Sequence, residues 1–489
     1  MRRPETYALI AVLGAGCASV SPERGHDQVS VLVEQRTGHK TRWEKGPPDD
    51  AQIAEWVRGL TAGGLTRARA VEIALVNNPD LQTTYEELGV SQADMVQAGL
   101  LKNPTFGAEL GFRINSGAND ELRLSLVQDF LDLFVLPLRK EIARDQFETD
   151  TLRVAHRALE TAAAAEKGFV AAQASAELVA FRRTVVEAGA AAAELSQRQF
   201  EAGNINELDE QTQRATYEQA KRDLAREEVD LLEARERVNR LLGLWGETTS
   251  WRLAETLPPL PESEQNLEHL ESLAICQRLD VAVARRQAAL LSKAVDLART
   301  SRLFGRIDVG VDMHRDPNGP LLLGPNLVID LPIFDQRQAV IARLEAQRRQ
   351  QEHKLSGVAI DARSEVRLAA LRLKANRQTV LHYRDVLLPL RKAVADQALL
   401  HYNGMFISLY QLVAVKQGEV EARRGYLEAL RDYWSARAEL ARAVGGGLPV
   451  EQTRGGVGPS SSPSPPVPAA PQPPASVPPP SEGSHPHEH

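Results

Sequence analysis

The sequence predicts a mainly α-helical protein with a small β part: long coiled-coil helices and four strands, which occur as two hairpins. Three observations predict this fold class. Ala and Leu recur at heptad spacing over long stretches without a strong helix breaker. Strict two-residue alternation is confined to two short regions, and the pattern of the first half returns about 200 residues later. The chain is therefore an internal tandem repeat.

Composition and charge exclude several classes of protein. Aromatic residues make up only 5% of the 489 residues, so a thick globular core is not expected. The net charge is -7 and acidic and basic residues are interspersed, which argues against a nucleic-acid partner. Cys17 and Cys276 are the two cysteines, too few for a disulfide framework or a cysteine-ligated metal. No apolar run is long enough for a helical membrane span.

The N-terminus has the pattern of an export signal. Arg2 and Arg3 precede a short apolar core and the small residues Gly14, Ala15 and Gly16, which predicts a signal peptide over residues 1–16. Residues 13–17 resemble a bacterial lipobox, which implies diacylation of Cys17, as in an exported lipoprotein. The alternative is an ordinary signal peptide followed by an incidental cysteine. Ala18, rather than an aspartate, follows the cysteine, and this resembles lipoproteins that are sorted to the outer membrane.

The first repeat is expected over residues 65–253, after a polar, lipid-anchored arm over residues 17–64. Thr66 is a predicted N-cap for one helix. Asn78 is a predicted N-cap for the next, with Pro79 at its first position.

The first alternating region, residues 104–130, is predicted to be a hairpin. Its apolar set comprises Phe106, Ala108, Leu110, Phe112, Ile114, Leu122, Leu124 and Leu126. Polar residues alternate with them, among them Glu109, Arg123, Ser125 and Gln128, and residues 115–120 are turn-prone. Each strand would therefore have one apolar face.

Two long helices are predicted to follow, meeting at a turn near Gly203. The first, residues 138–200, would be about 90 Å long, which requires coiled-coil packing. The second has a heptad seam that runs from Ala220 through Leu224 and Leu231 to Leu241. The alternative is the amphipathic face of a globular bundle.

The second repeat is expected over residues 267–445, after a linker over residues 254–266. It has its own hairpin at about residues 307–331 and its own pair of long helices with a turn near Gly404. Pro325 falls inside this hairpin and is expected near a strand start or at a bulge. Cys276 stands where the first repeat has Val76, so we expect it to be a small buried residue. Residues 446–489 are rich in proline and are predicted to be a disordered tail.

Strands that have one face apolar enough to contact lipid, in an exported chain, favour a membrane β-barrel. Four strands cannot close a barrel, and a bilayer leaves no sheet edge unpaired, so strands from other copies are required. Three copies give twelve strands and a real lumen, which predicts a homotrimer in contact with outer-membrane lipid.

Four segments resemble known proteins. They are Asn77-Asn78-Pro79-Asp80-Leu81, Gly99-Leu100-Leu101-Lys102-Asn103-Pro104, Phe200-Glu201-Ala202-Gly203-Asn204-Ile205 and Tyr402-Asn403-Gly404-Met405. Together with the duplication, over about residues 65–445, they resemble the outer membrane factors of the TolC family, in wording closest to the heavy-metal efflux branch of CusC and CzcC type. The resemblance implies a trimeric twelve-stranded barrel, a helical tunnel across the periplasm, and docking with a periplasmic adaptor and an inner-membrane RND-type pump.

Candidate site residues lie near the two turns. The resemblance implies that the tunnel closes there, so candidates for the periplasmic tip or gate are Gly203, Glu207, Asp209, Glu210, Gly404 and Ser408. Threefold repetition of the acids would attract cations. The alternative is that they only complement the helix dipole. His485, His487 and His489 suggest at best a weak chelating tail.

No catalytic constellation, cofactor loop or resident metal site stands out, so we expect neither an enzyme nor a cofactor. The predicted function is a passive outer-membrane efflux duct whose cargo, metal cation or other small molecule, is set by the pump. The alternative is a non-conducting coiled-coil scaffold of the periplasm or cell surface.

Overall fold

The computed structural model describes residues 23–111, 121–264, 268–303, 307–315 and 320–447. The predicted signal peptide, Cys17 and residues 448–489 of the proline-rich tail, with its histidines, lie outside the described residues. The helices are α1 (Glu23–Thr37), α2 (Pro47–Ala62), α3 (Arg67–Asn77), α4 (Pro79–Ala98), α5 (Leu131–Glu201), α6 (Glu207–Leu242), α7 (Leu270–Gln277), α8 (Leu279–Thr300), α9 (Gln338–His382), α10 (Leu388–Asn403) and α11 (Leu409–Val444). The strands are β1 (Thr105–Gly111), β2 (Glu121–Asp129), β3 (Ile307–Arg315) and β4 (Leu321–Ile329).

The two halves have the same order of elements. In the first, the pair α3 and α4 leads into β1 and β2, and the long helices α5 and α6 follow. In the second, α7 and α8 lead into β3 and β4, and the long helices α9, α10 and α11 follow. Each half is therefore a short helix pair, a strand pair and a long helical hairpin.

Both predicted helix caps of the first half are present. The Thr66 side chain accepts a hydrogen bond from the backbone N–H of Arg69 at the start of α3. The Asn78 side chain accepts one from the N–H of Leu81 at the start of α4, with Pro79 at the first helical position. These polar side chains satisfy amide groups that the helix itself leaves without acceptors.

The joint between the short helices also binds the end of the returning long helix. Asn78 Nδ2 donates to the carbonyl of Leu241 at 2.8 Å, and Asn77 Nδ2 donates to that of Leu242 at 2.8 Å. In the second half the buried Arg278 replaces the asparagine and donates to the carbonyl of Ala443 at 3.2 Å. Because the last carbonyls of a helix lack partners within the helix, these donors close both hairpins.

The long helices accommodate two prolines in different ways. Helix α5 has 71 residues and begins at Leu131, seven residues before the predicted start, so Pro137 lies inside it. Pro389 instead lies just after a π-helical turn, Tyr383–Leu387, which separates α9 from α10. Such a turn gives room around the carbonyl that a proline ring would otherwise contact four residues earlier.

The segment predicted to be a polar arm contains two helices that pack on the body. Val29 and Val33 of α1 are fully buried with Tyr85 of α4. Ile53 and Val57 of α2 are buried in a second cluster. Their spacing of four residues gives each helix an apolar stripe.

The prediction that Cys276 is buried is wrong, because its side chain is exposed. Its counterpart Val76 is only 7% exposed and belongs to the cluster that contains Ile53 and Val57 of α2. Helices α1 and α2 precede only the first half. The second half therefore lacks the layer that covers Val76.

The two glycines that end α5 and α6 provide a matched stability test. Gly243 and Gly203 both have left-handed backbones, with φ of 67° and 74°. A Cβ at Gly243 would lie 2.2 Å from the Asn77 carbonyl oxygen, whereas a Cβ at Gly203 would meet nothing within 4 Å. We expect Gly203→Ala to cost about 1 to 2 kcal/mol from backbone strain alone. Gly243→Ala should cost several times more, because the joint must also shift.

Guanidinium unfolding of both variants, followed by circular dichroism, measures the difference. Equal losses of unfolding free energy in the two variants would contradict the role assigned to the joint.

Candidate functional site

The four strands form one antiparallel sheet in the order β1-β2-β3-β4. The two hairpins are joined through β2 and β3, in a register that pairs Leu126 with Val311. The two repeats, far apart in sequence, thus contribute to a single continuous wall.

One face of this sheet is apolar. The register places on it Phe106, Ala108, Leu110, Leu122, Leu124, Leu126, Ile307, Val309, Val311, Met313, Leu321, Leu323, Pro325, Leu327 and Ile329. Most of their large side chains are exposed in the isolated chain. The predicted alternation is confirmed, except that Gln128 lies on the apolar face opposite Val309. Arg315, at the end of β3, also lies on this face, opposite Leu321. Phe112 and Ile114 lie outside the described residues. An outward apolar band of this kind is what a membrane strand presents to lipid.

The opposite face carries most of the polar side chains. It holds Thr105, Glu109, Glu121, Arg123, Ser125, Asp129, Asp308, Asp312, His314 and Asn326. Arg123 lies 3.5 Å from Glu109, and Asn326 Nδ2 donates to Asp312 Oδ2 at 3.4 Å. The sheet therefore separates an apolar surface from a surface suited to water and ions.

The outer strands β1 and β4 are edges of this sheet, and within the described ranges neither has a partner on its outer side. The expectation that Pro325 lies near a strand start or at a bulge is wrong. It lies in the middle of β4, opposite Val311, in a register that runs unbroken from Ile329 to Leu321. An edge strand tolerates proline, because the missing N–H can be on the side away from its partner.

Exposed aromatic and apolar residues mark the end of the sheet from which the helices start. Phe134 and Phe334 are 71% and 91% exposed, and the ring of Phe130 lies 5.9 Å from that of Phe134. Membrane barrels carry aromatic girdles at this level. Sequence reasoning missed these residues, although aromatic side chains just beyond two predicted strands were a usable signal.

The first tip places its predicted acids on the opening turn of α6. Gly203 takes the left-handed conformation that ends α5, and Asn206 caps α6 by accepting from the N–H of Asp209 at 2.9 Å. Glu207 is exposed, and its Oε1 accepts from the side chain of Gln211 at 2.7 Å. Asp209 and Glu210 are half-buried. The tip thus carries three carboxylates within one turn.

When Gly203 is aligned with Gly404, the turn of the second tip lies one residue later than the turn of the first. Gly404 has an ordinary φ, and Met405 takes the left-handed conformation, with φ of 63°. Ser408 is the N-cap of α11 and forms a capping box with Gln411, in the role that Asn206 has in the first tip. Matching Gly203 to Gly404 in sequence therefore misplaces the turn, and the Ser408 hydroxyl is engaged in the cap.

The second tip also presents an apolar pair that sequence reasoning missed. Met405 is 93% exposed, and Phe406 beside it is largely exposed. Leu208 is similarly exposed on the first tip. Large apolar side chains grouped at an exposed tip are typical of a surface that contacts a partner.

The described residues contain neither a metal-binding cluster nor a helix that could span a membrane. In that part of the chain, no group of three or more His, Cys, Asp or Glu side chains could hold a metal ion. Across the same ranges, no helix has both the length and the apolar character needed to cross a bilayer.

Long helical hairpins joined to strands with one apolar face are an architecture that this chain shares with solved outer membrane channels. Residues 70–244 match the family of outer membrane efflux proteins, and this match supports assignment of the chain as an outer membrane factor. This family and this fold are those of channel proteins rather than enzymes.

Individual relatives agree with this assignment. The cobalt-zinc-cadmium resistance protein CzcC of Cupriavidus metallidurans is 24% identical over 402 residues, which cover 78% of this chain and 91% of CzcC. Crystal structures of CusC, a protein that forms a transmembrane channel, share the fold with a TM-score of 0.66 at 17% identity, over 78% of this chain and 92% of CusC. The CmeC outer membrane channel of Campylobacter jejuni has a TM-score of 0.68 at 14% identity, over 80% and 87%.

Proposed function

We propose that three copies of this chain close a twelve-stranded barrel in the outer membrane and form the exit duct of a tripartite efflux system. The observation that carries this proposal is the sheet with an apolar face and two free edges. In a bilayer the N–H and C=O groups of β1 and β4 need partners, which the β4 and β1 edges of neighbouring copies supply. Two copies would give eight strands, which leave no open lumen, so three is the smallest number that conducts.

The long helical hairpins would continue the duct through the periplasm. A periplasmic adaptor and an inner-membrane RND-type pump would deliver cargo at the tips, where Met405, Phe406 and Leu208 are exposed. The duct is passive and needs no cofactor, because the pump supplies the energy. Similarity to CzcC supports heavy-metal cations as the cargo.

A non-conducting coiled-coil scaffold is the competing function. The apolar face of the sheet argues against it, since a scaffold surrounded by water gains nothing from exposing Leu323 and Leu327.

The barrel is tested with neighbouring residues on opposite faces of β4. Leu327 is on the apolar face and Val328 on the other, by the register with β3. We expect Leu327→Lys to destabilise the barrel by about 2 to 4 kcal/mol per copy if the site lies at mid-bilayer, whereas Val328→Lys should be tolerated on the aqueous side. Wild type and V328K should fractionate with outer membranes and migrate as heat-sensitive trimers on gels, and L327K should lose that band. A soluble monomeric wild type, or equal behaviour of the two variants, would refute the barrel.

The tip acids are tested by conductance in planar bilayers. We propose that Glu207 and Asp209 attract cations to the entrance, with Glu210 beside them and the turns at Gly203 and Gly404 framing the opening. The double variant Glu207→Gln, Asp209→Asn should then show a lower ratio of cation to anion permeability at low salt, where screening is weak. Glu247→Gln, an exposed acid beyond the other end of α6, is the control and should leave the ratio unchanged. An unaltered ratio in the double variant would reject this role.

We also propose that residues 1–16 are removed as a signal peptide and that the Cys17 thiol is diacylated. Intact-mass measurement of the mature wild-type protein should show the added lipid on an N-terminal Cys17, and Cys17→Ser should lack it. Mature wild-type protein without added lipid mass would support the ordinary signal peptide instead.

A further inference from the structure

A large groove lies between the two helical hairpins, close to their tips. Its volume is about 1380 Å³, and its walls are formed by α5, α6, the π turn with α10, and α11. On α5 the lining extends from Phe181 to Ala192, which is about 16 Å at 1.5 Å per residue. Val185, Leu412 and Val420 are among the apolar side chains that line it. The groove is mainly apolar and about three helical turns long.

One buried cation faces this groove. Arg182 of α5 is only 6% exposed and lines the cavity, and its Nε has no hydrogen-bond acceptor. Within the described chain, no carboxylate lies at ion-pairing distance from this guanidinium. Glu227 of α6 interacts with it at longer range. Burial and the charge of Asp230 raise the pKa of Glu227, while the charges of Arg424 and Arg182 lower it.

The other basic residues of the lining are exposed and already engaged. Lys392 lies 2.7 Å from Asp396, Lys416 lies 2.8 Å from Glu419, and Arg384 lies 2.7 Å from Asp385. Arg423 stacks on the ring of Tyr426, 5.7 Å from its centroid. Arg182 therefore differs from its neighbours in being both buried and unpaired, an arrangement that favours an anion in the groove.

We propose that this groove binds a small amphiphilic anion of fatty-acid type. Its head group would accept hydrogen bonds from the Arg182 guanidinium, and its apolar chain would lie along Phe181, Val185 and Leu412. A carboxylate has two acceptor oxygens and matches the forked donors of arginine. Little of the Arg182 side chain is accessible, so a ligand must reach it through a narrow opening. The end of a slim molecule can do so more easily than a protein helix, which is about 10–12 Å across. The proposal rests on this groove and not on the proposed duct.

The probe is dansyl-aminoundecanoic acid, added to the full-length protein in phosphatidylcholine nanodiscs, with empty nanodiscs as background. We expect saturable fluorescence enhancement, weakened at least tenfold by Arg182→Gln and only partly by Arg182→Lys. The matched control is Arg183→Gln, because Arg183 is the next residue, is exposed and pairs with Glu228 at 2.9 Å. Helical circular dichroism and migration on gels should be the same for all variants.

Two further arms separate the head group from the apolar chain. Laurate should displace the probe, while uncharged dodecanol should compete at least tenfold less well. Ala188→Trp, which fills the groove without touching Arg182, should reduce binding as strongly as R182Q does.

The proposal is overturned if R182Q binds the probe like the wild type or if dodecanol competes as well as laurate. It is also overturned if the probe does not bind the wild type. If R182Q then weakens the trimer band, a carboxylate of a second copy is the partner of Arg182. Probe binding is measured without any current, so loss of conductance and loss of this site are distinguishable.

Discussion

The backbone of an open sheet edge is the constraint on which the rest of this structure depends. Four strands can satisfy their own hydrogen bonds only between neighbours, and among the described residues β1 and β4 each have one side without a partner strand. In water that side is solvated, but beside the exposed leucines and valines of the apolar face it would meet lipid. The duplication within the chain supplies half of the answer, since β2 of one repeat pairs with β3 of the other. In the proposed barrel, strands of other copies supply the remaining partners.

A second constraint acts where the long helices return to the body. Each must end among short helices, and its last carbonyls need donors. The first repeat uses the amides of Asn77 and Asn78. The second uses Arg278, whose guanidinium also contacts Asp280 and Glu365. Burial disfavours the charged guanidinium, but these two carboxylates outweigh burial and raise the pKa of Arg278. The repeats have thus kept the joint while changing its chemistry.

Local patterns made much of the fold predictable. Alternation fixes which face of a strand is apolar, and the caps at Thr66 and Asn78 depend only on residues within one turn. What was missed depends on contacts distant in sequence or on single backbone angles. The exposure of Cys276 follows from a helix layer that only one repeat has, and the second tip is shifted because Met405 takes a conformation usual for glycine.

The candidate site was predictable only in part, for the same reason. The acids of the first tip follow a recognisable turn, so their position on α6 could be inferred. The isolation of Arg182 could not, because the sequence around it, with Arg183 beside it, resembles any charged helix surface. Only the packing of four helices makes one of these arginines buried and leaves the other paired with Glu228.

Because of the π turn at Tyr383–Leu387, side chains near the tips face different directions in the two helical hairpins. A π turn takes one more residue than an α turn, and one residue corresponds to a rotation of about 100° around the helix axis. Side chains from Leu388 to Asn403 therefore face about a quarter turn away from where the heptad frame of α9 would point them. Helix α5 runs to its tip without such an offset. The two repeats thus match at the sheet and differ toward the tips, so a partner that approaches from that end meets two distinct surfaces on each chain.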